Sequence, residues 1–282
     1  MTVELHNVSK AYTQSSPKGE KAARVSALGP VSLTIHDREF FAILGPSGCG
    51  KSTLLNLIAG FERPDTGQVL IDGSPVGSPS PKRAVVFQEP GLMPWLTVVE
   101  NVEYGLKLLG LNKTERRERA LHYLKMVHLS KYAHARPHQL SGGMRQRVSI
   151  ARALALEPRV LLMDEPFSAL DAQTRDVLHE ELQRIWNETH LTIVFVTHNI
   201  HEAVYLADRI LIMTAPPGSV KRISRVPFAR PRDKAMADLG IYATMLHKDI
   251  KEEVEKVAAR EFDPDWTLEQ PSSVTADPAS GI

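Results

Sequence analysis

Apolar and polar positions follow two patterns along the chain, and the two differ in period. Short apolar runs bounded by glycine, proline or charged residues predict buried strands. These runs are FFAIL at 40–44, RVLLMDE at 159–165, LTIVFVTH at 191–198 and DRILIM at 208–213. Between the second and third runs, TRDVLHEELQRIW places Leu178, Leu182 and Ile185 on one face of a helix. Strands that alternate with amphipathic helices predict a parallel sheet covered by helices, which is an α/β fold.

A helical period dominates the stretch 97–156, whereas residues 1–85 have the pattern of strands and turns with one helix. The apolar face of its clearest helix consists of Ala120, Leu121, Leu124 and Val127. A second amphipathic helix is predicted at 244–260, and its apolar face consists of Leu246, Ile250, Val254 and Val257. The polar, Pro/Ser-rich residues 267–282 are predicted to be disordered.

Composition narrows the class of protein. The 282 residues are 43% hydrophobic, enough for a sizeable core, and 34 Lys and Arg balance 33 Asp and Glu. This balance argues against a nucleic-acid partner, because dedicated nucleic-acid binders carry a basic surface. No apolar run approaches the ~20 residues that span a bilayer. The start, MTVELHNVSK, has no signal-peptide pattern, so we expect a cytosolic protein.

The loop GPSGCGKST follows the first apolar run, and its residues 45–52 match G-x-x-x-x-G-K-[ST]. Glycines allow successive backbone N–H groups to point at one anion, and the helix that follows adds its dipole. Lys51 would reach the β/γ-phosphates of a nucleotide, and Ser52 would bind Mg²⁺ through its hydroxyl. The alternative is a glycine turn that merely precedes a helix.

Two further stretches carry matching chemistry. Asp164 and Glu165 end an apolar run, where the first can order the Mg²⁺ shell and the second can polarise the attacking water. In QLSGGMRQR at 139–147, a serine and two glycines precede a helix, which makes either a second anion site or a plain N-cap.

The ordered set of motifs resembles the nucleotide-binding subunits of ABC transporters over roughly residues 2–215. The Walker A loop corresponds to Gly45–Thr53, the signature to Leu140–Met144, and Walker B with its catalytic glutamate to Val160–Glu165. SALD at 168–171 is similar to the D-loop. One departure is Met144, which replaces the commoner glutamine of the signature; because it is also uncharged, we expect activity to survive.

The resemblance implies a role for each matching residue. Catalysis is assigned to Glu165, to the switch histidine His198 and to the Q-loop glutamine Gln88. Mg²⁺ is assigned to Ser52, Gln88 and Asp164. ATP is assigned to Tyr12, which would stack on adenine, and to Gly45, Pro46, Ser47, Gly48, Cys49, Gly50, Lys51, Ser52, Thr53, Ser141, Gly142 and Gly143.

The resemblance also implies the architecture. We expect a P-loop NTPase fold with a parallel or mixed sheet, an antiparallel β subdomain and an inserted α-helical subdomain at about 89–157. The ATPase domain would span 1–215, followed by a C-terminal extension with a helix at 216–266 and the tail at 267–282.

The implied function is ATP hydrolysis by two cassettes that dimerise head to tail and drive separate transmembrane permease subunits. A homodimer is favoured because this one chain carries both the Walker motifs and the signature motif. A heterodimer with a related subunit is the alternative. The stretches 92–106 and 215–233 resemble the nitrate/sulfonate/taurine importer group, which implies a solute-binding protein and a peripheral place at the cytoplasmic face of the inner or plasma membrane. The alternative is a soluble ABC ATPase that acts as a mechanical or assembly factor without a permease.

Two residues carry their own expectations. Cys49, the single cysteine, excludes an intrachain disulfide and a cysteine-rich zinc site. Its place at a helix N-terminus predicts a reactive thiolate, and the alternative is a small filler in the loop. Trp95 and Met93 are expected on the permease-facing surface, with core packing as the alternative.

Overall fold

The computed structural model describes residues 1–14 and 23–261, which form a mixed sheet, an antiparallel sheet and seven α-helices. The six-stranded mixed sheet contains, in chain order, β3 (Phe40–Leu44), β6 (Arg83–Val86), β7 (Val160–Asp164), β8 (Thr192–Val196), β9 (Arg209–Met213) and β10 (Val220–Arg225). Its spatial order is β10-β9-β3-β8-β7-β6, and all neighbours are parallel except the β9–β10 pair. The four-stranded antiparallel sheet contains β1 (Val3–Gln14), β2 (Ala23–Ile35), β4 (Thr66–Ile71) and β5 (Ser74–Pro75).

The bounds of the α-helices are α1 (Lys51–Ala59), α2 (Val98–Leu108), α3 (Lys113–Met126), α4 (Gly142–Leu154), α5 (Ala172–Thr189), α6 (Ile200–Leu206) and α7 (Ala237–Glu261). Five of the helices, α2 to α6, begin where a side chain caps free N–H groups of the first turn. Short 3₁₀ turns occupy Ser130–Tyr132 and Pro137–Gln139. The side chains that cap a helix in this way are Thr97, Asn112, Ser141, Asp171 and Asn199.

The central strands are buried on both faces, which explains why they are continuous apolar runs in the sequence. Alternate residues of β3 point to opposite sides: Phe40 packs among residues of α2 to α7, whereas Phe41 packs among residues of α1 and the antiparallel sheet. Helices α1 and α4 therefore lie on opposite faces of the mixed sheet. The predicted α/β fold with a mixed sheet and a separate antiparallel sheet is confirmed.

The predicted apolar faces of the helices are buried in the structure at most positions, and the exceptions lie on α3 and α7. Leu178, Leu182 and Ile185 of α5 are buried as predicted. The prediction was wrong for Leu121 of α3, which is 39% exposed, because it lies beside the stripe that packs against α2 and α4. It was also wrong for Val254 of α7, which is 46% exposed. Helix α7 begins at Ala237 rather than at 244, since its buried face extends back to Leu239 and Ala243.

A buried carboxylate fastens α7 to the turn between β9 and β10. Glu253 accepts a hydrogen bond from the Ala215 backbone N–H at 2.8 Å, and Lys221 Nζ lies 3.0 Å from its carboxylate. Burial alone would raise the pKa of Glu253, but hydrogen bonds from Lys256, the Ala215 N–H and Lys221 lower this pKa to about 2. A charged Glu253 thus anchors α7 to the turn at neutral pH.

Strand β10 continues the mixed sheet past residue 215, so the sheet includes part of the predicted extension. The residue bounds of the predicted subdomains stay predictions. The predicted tail at 267–282 lies outside the described residues. Among the residues that are described, no helix combines the length and the apolar character needed to cross a membrane.

Candidate functional site

The glycine-rich loop lies between β3 and α1, at the carboxyl edge of the mixed sheet. Gly48 and Gly50 have φ values of 72° and 90°, in the left-handed region that favours glycine. Ser47 and Gly48 are exposed, whereas Gly45 and Pro46 are buried at the base of the loop. A Cβ on Gly50 would lie 2.8 Å from the carbonyl oxygen of Ala27, so both the turn and the packing require glycine.

Lys51 directs its ammonium group into the curve of this loop. Its Nζ donates hydrogen bonds of 3.0 Å to the carbonyl oxygens of Gly45 and Pro46, and the side chain is only 7% exposed. A buried cation held by loop carbonyls is suited to pair with an anion that enters the curve. The geometry therefore supports phosphate binding at Lys51.

Ser52 connects the loop to the end of β7. Its Oγ donates to Asp164 Oδ1 at 3.2 Å. Burial raises the pKa of Asp164, and the Glu165 carboxylate raises it further, while the Ser52 hydrogen bond and the Lys51 charge oppose this. A divalent cation would offset the poorly solvated charge, and hydroxyl and carboxylate oxygens are the donors that Mg²⁺ prefers. The residues present therefore fit a Mg²⁺ ion bound with a nucleotide.

Glu165 and His198 lie beside each other at the carboxyl ends of β7 and β8. His198 Nδ1 is 2.9 Å from Glu165 Oε2. The Glu165 backbone has a φ of 43° and is held by three contacts. Its N–H donates to the carbonyl of Val196 at 3.0 Å, and its carbonyl accepts from Ser168 Oγ at 2.9 Å and from the Ser168 N–H at 3.2 Å. The carboxylate is thus fixed next to an exposed imidazole, where a base and a polar partner can act on one water.

Gln88 is exposed after β6, and helix α4 holds the loop that carries it. Gln146 Nε2 donates to the Phe87 carbonyl at 3.4 Å. Arg152 donates to the carbonyls of Pro90 and Gly91 at 2.8 Å each. Sequence reasoning missed these two helical residues, because nothing in a helix sequence reveals which distant carbonyls its side chains reach.

The predicted signature caps α4 on the opposite face of the sheet from the P-loop helix α1. Ser141 Oγ accepts from the Met144 N–H at 3.3 Å. A Cβ on Gly143 would lie 2.3 Å from Thr174 Cγ2, so this glycine lets α4 approach α5 closely. A Cβ on Gly142 would make only an ordinary contact with Leu170, at 3.5 Å, and Met144 packs partly buried against the core. The structure does not bring these residues together with Lys51 in one chain.

Tyr12 lies on β1, and its side chain contacts Thr53 of α1. Its hydroxyl donates to Glu62 Oε2 at 2.6 Å, and its oxygen lies 3.3 Å from Thr53 Oγ1. Lys10 Nζ lies 5.7 Å from the centre of the ring. The hydroxyl is therefore occupied within the protein, and stacking on adenine stays a prediction.

The expectation of a reactive thiolate at Cys49 is wrong. The side chain is fully buried beneath the loop, and burial raises the pKa of its thiol. The turn that follows β9 closes over this position: a Cβ on Gly218 would lie 1.8 Å from the Cys49 carbonyl oxygen. The sequence APPGS shows a turn but not its contact with the loop, so sequence reasoning could not find Gly218.

Maleimide should therefore label the folded protein at Cys49 roughly tenfold more slowly, or slower still, than the denatured chain at the same pH. The physical reason is the low thiolate population and the lack of access. The measurement is thiol labelling over time with intact-mass detection, and the guanidinium-unfolded chain is the control with one accessible thiol. Equal labelling rates in the two states would contradict the burial of Cys49.

Comparison with known proteins gives a consistent set of similarities. The family model of ABC transporters matches residues 28–168. The taurine import ATP-binding protein TauB of Yersinia pestis is 54% identical over 194 residues, which cover 69% of this chain and 76% of that relative. The nitrate import ATP-binding protein NrtD of Synechococcus elongatus is 44% identical over 233 residues, 82% of this chain and 84% of that relative.

A solved structure is similar over most of the chain. It is a dimeric ATP-binding cassette in a post-hydrolysis state bound to ADP and Pi, and it is 39% identical. The match has a TM-score of 0.68 and covers 80% of this chain and 100% of that one.

Proposed function

The chain belongs to the ABC transporter family as an ATP-binding protein, and we propose that it drives import of a small solute through a separate permease. ATP-binding proteins of this family are ATPases coupled to transport. The observation that carries the proposal is the convergence of Lys51, Ser52, Asp164, Glu165 and His198 at one edge of the mixed sheet. Because the relatives are named for nitrate and taurine import, we propose nitrate, a sulfonate, taurine or a related small solute.

Each side chain has a place in the proposed reaction. Lys51 would bind the β/γ-phosphates, since its ammonium already lies within the loop. Ser52, Asp164 and Gln88 would hold Mg²⁺, which when bound neutralises phosphate charge. Glu165 would accept a proton from the attacking water, and His198 would keep that carboxylate and the γ-phosphate aligned. Tyr12 would stack on adenine.

We also propose that a second cassette completes each site. Ser141, Gly142 and Gly143 offer a hydroxyl, backbone N–H groups and a helix N-terminus, but they lie on the other face of the sheet from α1. A second copy in head-to-tail orientation would present them to the first copy's nucleotide. A homodimer is favoured, because one chain carries both halves.

The permease would dock on exposed apolar residues around the loop that carries Gln88. Phe61 and Phe87 stack with their ring centres 6.1 Å apart, and together with Met93 and Tyr104 they line an open cavity of about 470 Å³. Trp95 is 69% exposed and lines an adjoining cavity of about 230 Å³. Exposed apolar clusters of this kind are typical of protein interfaces.

The test is co-purification. The tagged chain should be recovered from solubilised membranes with a membrane-spanning protein, and Trp95→Ala should strongly reduce that recovery. The free Trp95→Ala chain should keep its unfolding free energy, because an exposed side chain contributes little to packing. Ile241→Ala is the control, since Ile241 is also an exposed apolar residue but lies on α7.

Two results would contradict the proposal. Loss of about 3–5 kcal/mol of unfolding free energy in free Trp95→Ala would indicate core packing instead. Recovery of the wild-type chain without any membrane protein would favour the soluble assembly-factor alternative.

A further inference from the structure

Three buried polar side chains lie directly behind His198. Thr197 precedes it in sequence and is 2% exposed, Glu202 lies on α6 and is 6% exposed, and His179 lies on α5 and is 4% exposed. Thr197 Oγ1 donates to Glu202 Oε2 at 2.6 Å and accepts from the Asn199 N–H at 3.0 Å. The hydroxyl of Thr197 therefore joins the backbone on both sides of His198 to one carboxylate.

The second oxygen of that carboxylate faces α5. His179 Nε2 lies 3.3 Å and Arg175 Nε lies 3.7 Å from Glu202 Oε1. Burial alone would raise the pKa of Glu202, but the close His179 ring, the hydrogen bond from Thr197 and the charge of Arg175 lower this pKa below its ordinary value. Glu202 is therefore a charged, buried group with partners on two elements.

Arg175 extends these contacts to the loop that follows Glu165. It donates to the carbonyl of Phe167 at 3.3 Å and to that of Leu170 at 2.7 Å. The Phe167 ring also packs edge-on against His179, with ring centres 5.3 Å apart. The loop after β7 and the loop after β8 are thus connected through Glu202, at the point where one carries Glu165 and the other carries His198.

We propose that Glu202 is a positioning residue for hydrolysis: through Thr197 it fixes His198, and through Arg175 it holds His198 in register with Glu165. The inference rests on the proposed roles of Glu165 and His198. Misplacement of a catalytic group by about 1 Å can cost on the order of 10²-fold in rate, so a buried clamp on these two loops has a kinetic effect.

Thr197→Val removes the hydroxyl and keeps the shape of the side chain. We expect kcat for ATP hydrolysis to fall about tenfold while KM for ATP changes less than about twofold, since the lost contact acts on alignment rather than on nucleotide binding. Thr197→Ser should restore kcat. The matched control is Thr192→Val: Thr192 lies on β8, is fully buried, and its hydroxyl also accepts a backbone N–H, that of Arg38 at 3.0 Å.

Glu202 gives a second, independent pair of variants. Glu202→Gln keeps an oxygen that can accept from Thr197, whereas Glu202→Ala removes it. The kcat of Glu202→Ala should fall further than that of Glu202→Gln at a temperature where both are fully folded. Equal kcat losses in the two variants, or an equal loss in Thr192→Val and Thr197→Val, would indicate a general packing effect and overturn the inference.

The decisive measurement places Thr197→Val in a His198→Ala background. If Glu202 and Thr197 act through His198, the second substitution should lower kcat no further. A further tenfold loss there would show an independent role and overturn the inference alone. A normal kcat in His198→Ala itself would instead overturn the proposed role of His198, so the two failures can be distinguished.

Discussion

Glu165→Gln is expected to lower kcat for ATP hydrolysis by about 10²–10⁴-fold, the usual cost of losing a general base. An amide at this position cannot take the proton of the attacking water. ATP binding should survive, because the loop, Lys51 and the Ser52–Asp164 contact do not depend on this carboxylate. The variant should therefore accumulate as an ATP-bound dimer.

The backbone at Glu165 supports a clean interpretation of this variant. Its φ of 43° is held by contacts of its own main chain with Val196 and Ser168, which glutamine leaves intact. Glutamine also keeps an oxygen that can lie near His198. The expected loss thus reports proton transfer rather than local unfolding.

Single-turnover phosphate release measures the effect, and size-exclusion chromatography with ATP measures the dimer. Glu157→Gln is the matched control: Glu157 also has a left-handed φ, of 49°, but it is exposed and pairs with Arg119 on the helical side. It should hydrolyse ATP normally. Turnover of Glu165→Gln within about tenfold of wild type would exclude Glu165 as the general base.

The sequence predicted well those features that depend on the pattern of apolar residues and glycines within one short segment. The strand, loop and helix around Lys51 follow from an apolar run, glycines with positive φ and an apolar helix, all within twenty residues. The buried face of α5 also follows from the local sequence, because a helix at the surface of a core buries the one stripe of apolar residues that recurs with the helical period. In each case the signal and the structure it specifies lie in the same segment.

The features that sequence missed depend on contacts between distant segments. Cys49 was expected to be reactive from its helix N-terminus, but Gly218 and its turn, far along the chain, cover it. Glu253 lies at a position where a charged residue predicts exposure, yet it is buried by its contacts with Ala215 and Lys221. The contacts of Glu202 could not be predicted for the same reason, since its partners Arg175 and His179 lie on a different helix, α5.

A second prediction concerns which of two chains supplies the signature residues, among them Ser141, to each bound nucleotide. Helices α1 and α4 cover opposite faces of the mixed sheet. Lys51 and Ser141 of one chain are therefore separated by the sheet. Two copies arranged head to tail would place each Lys51 opposite the other copy's Ser141, and we expect each nucleotide to be held between them.

A mixed dimer tests this arrangement. One tagged chain carries Lys51→Ala and the other carries Ser141→Arg, and both carry Glu165→Gln to trap ATP. In trans, the mixed dimer has one site with both defects and one intact site, so it should occlude about one ATP. Either variant alone should occlude little, because each lost anion contact costs about 1.5–3 kcal/mol in a site of this kind.

The outcome separates the two arrangements because they predict different numbers of intact sites. If one chain supplied both Lys51 and Ser141 to its own nucleotide, every site in the mixed dimer would carry one defect, and occlusion would match the parents. The control is a dimer with differently tagged copies that carry Glu165→Gln alone, which should occlude about two ATP if each composite site binds one. Purification through both tags ensures that only mixed dimers are counted, so parent-level occlusion in that fraction would refute the trans arrangement.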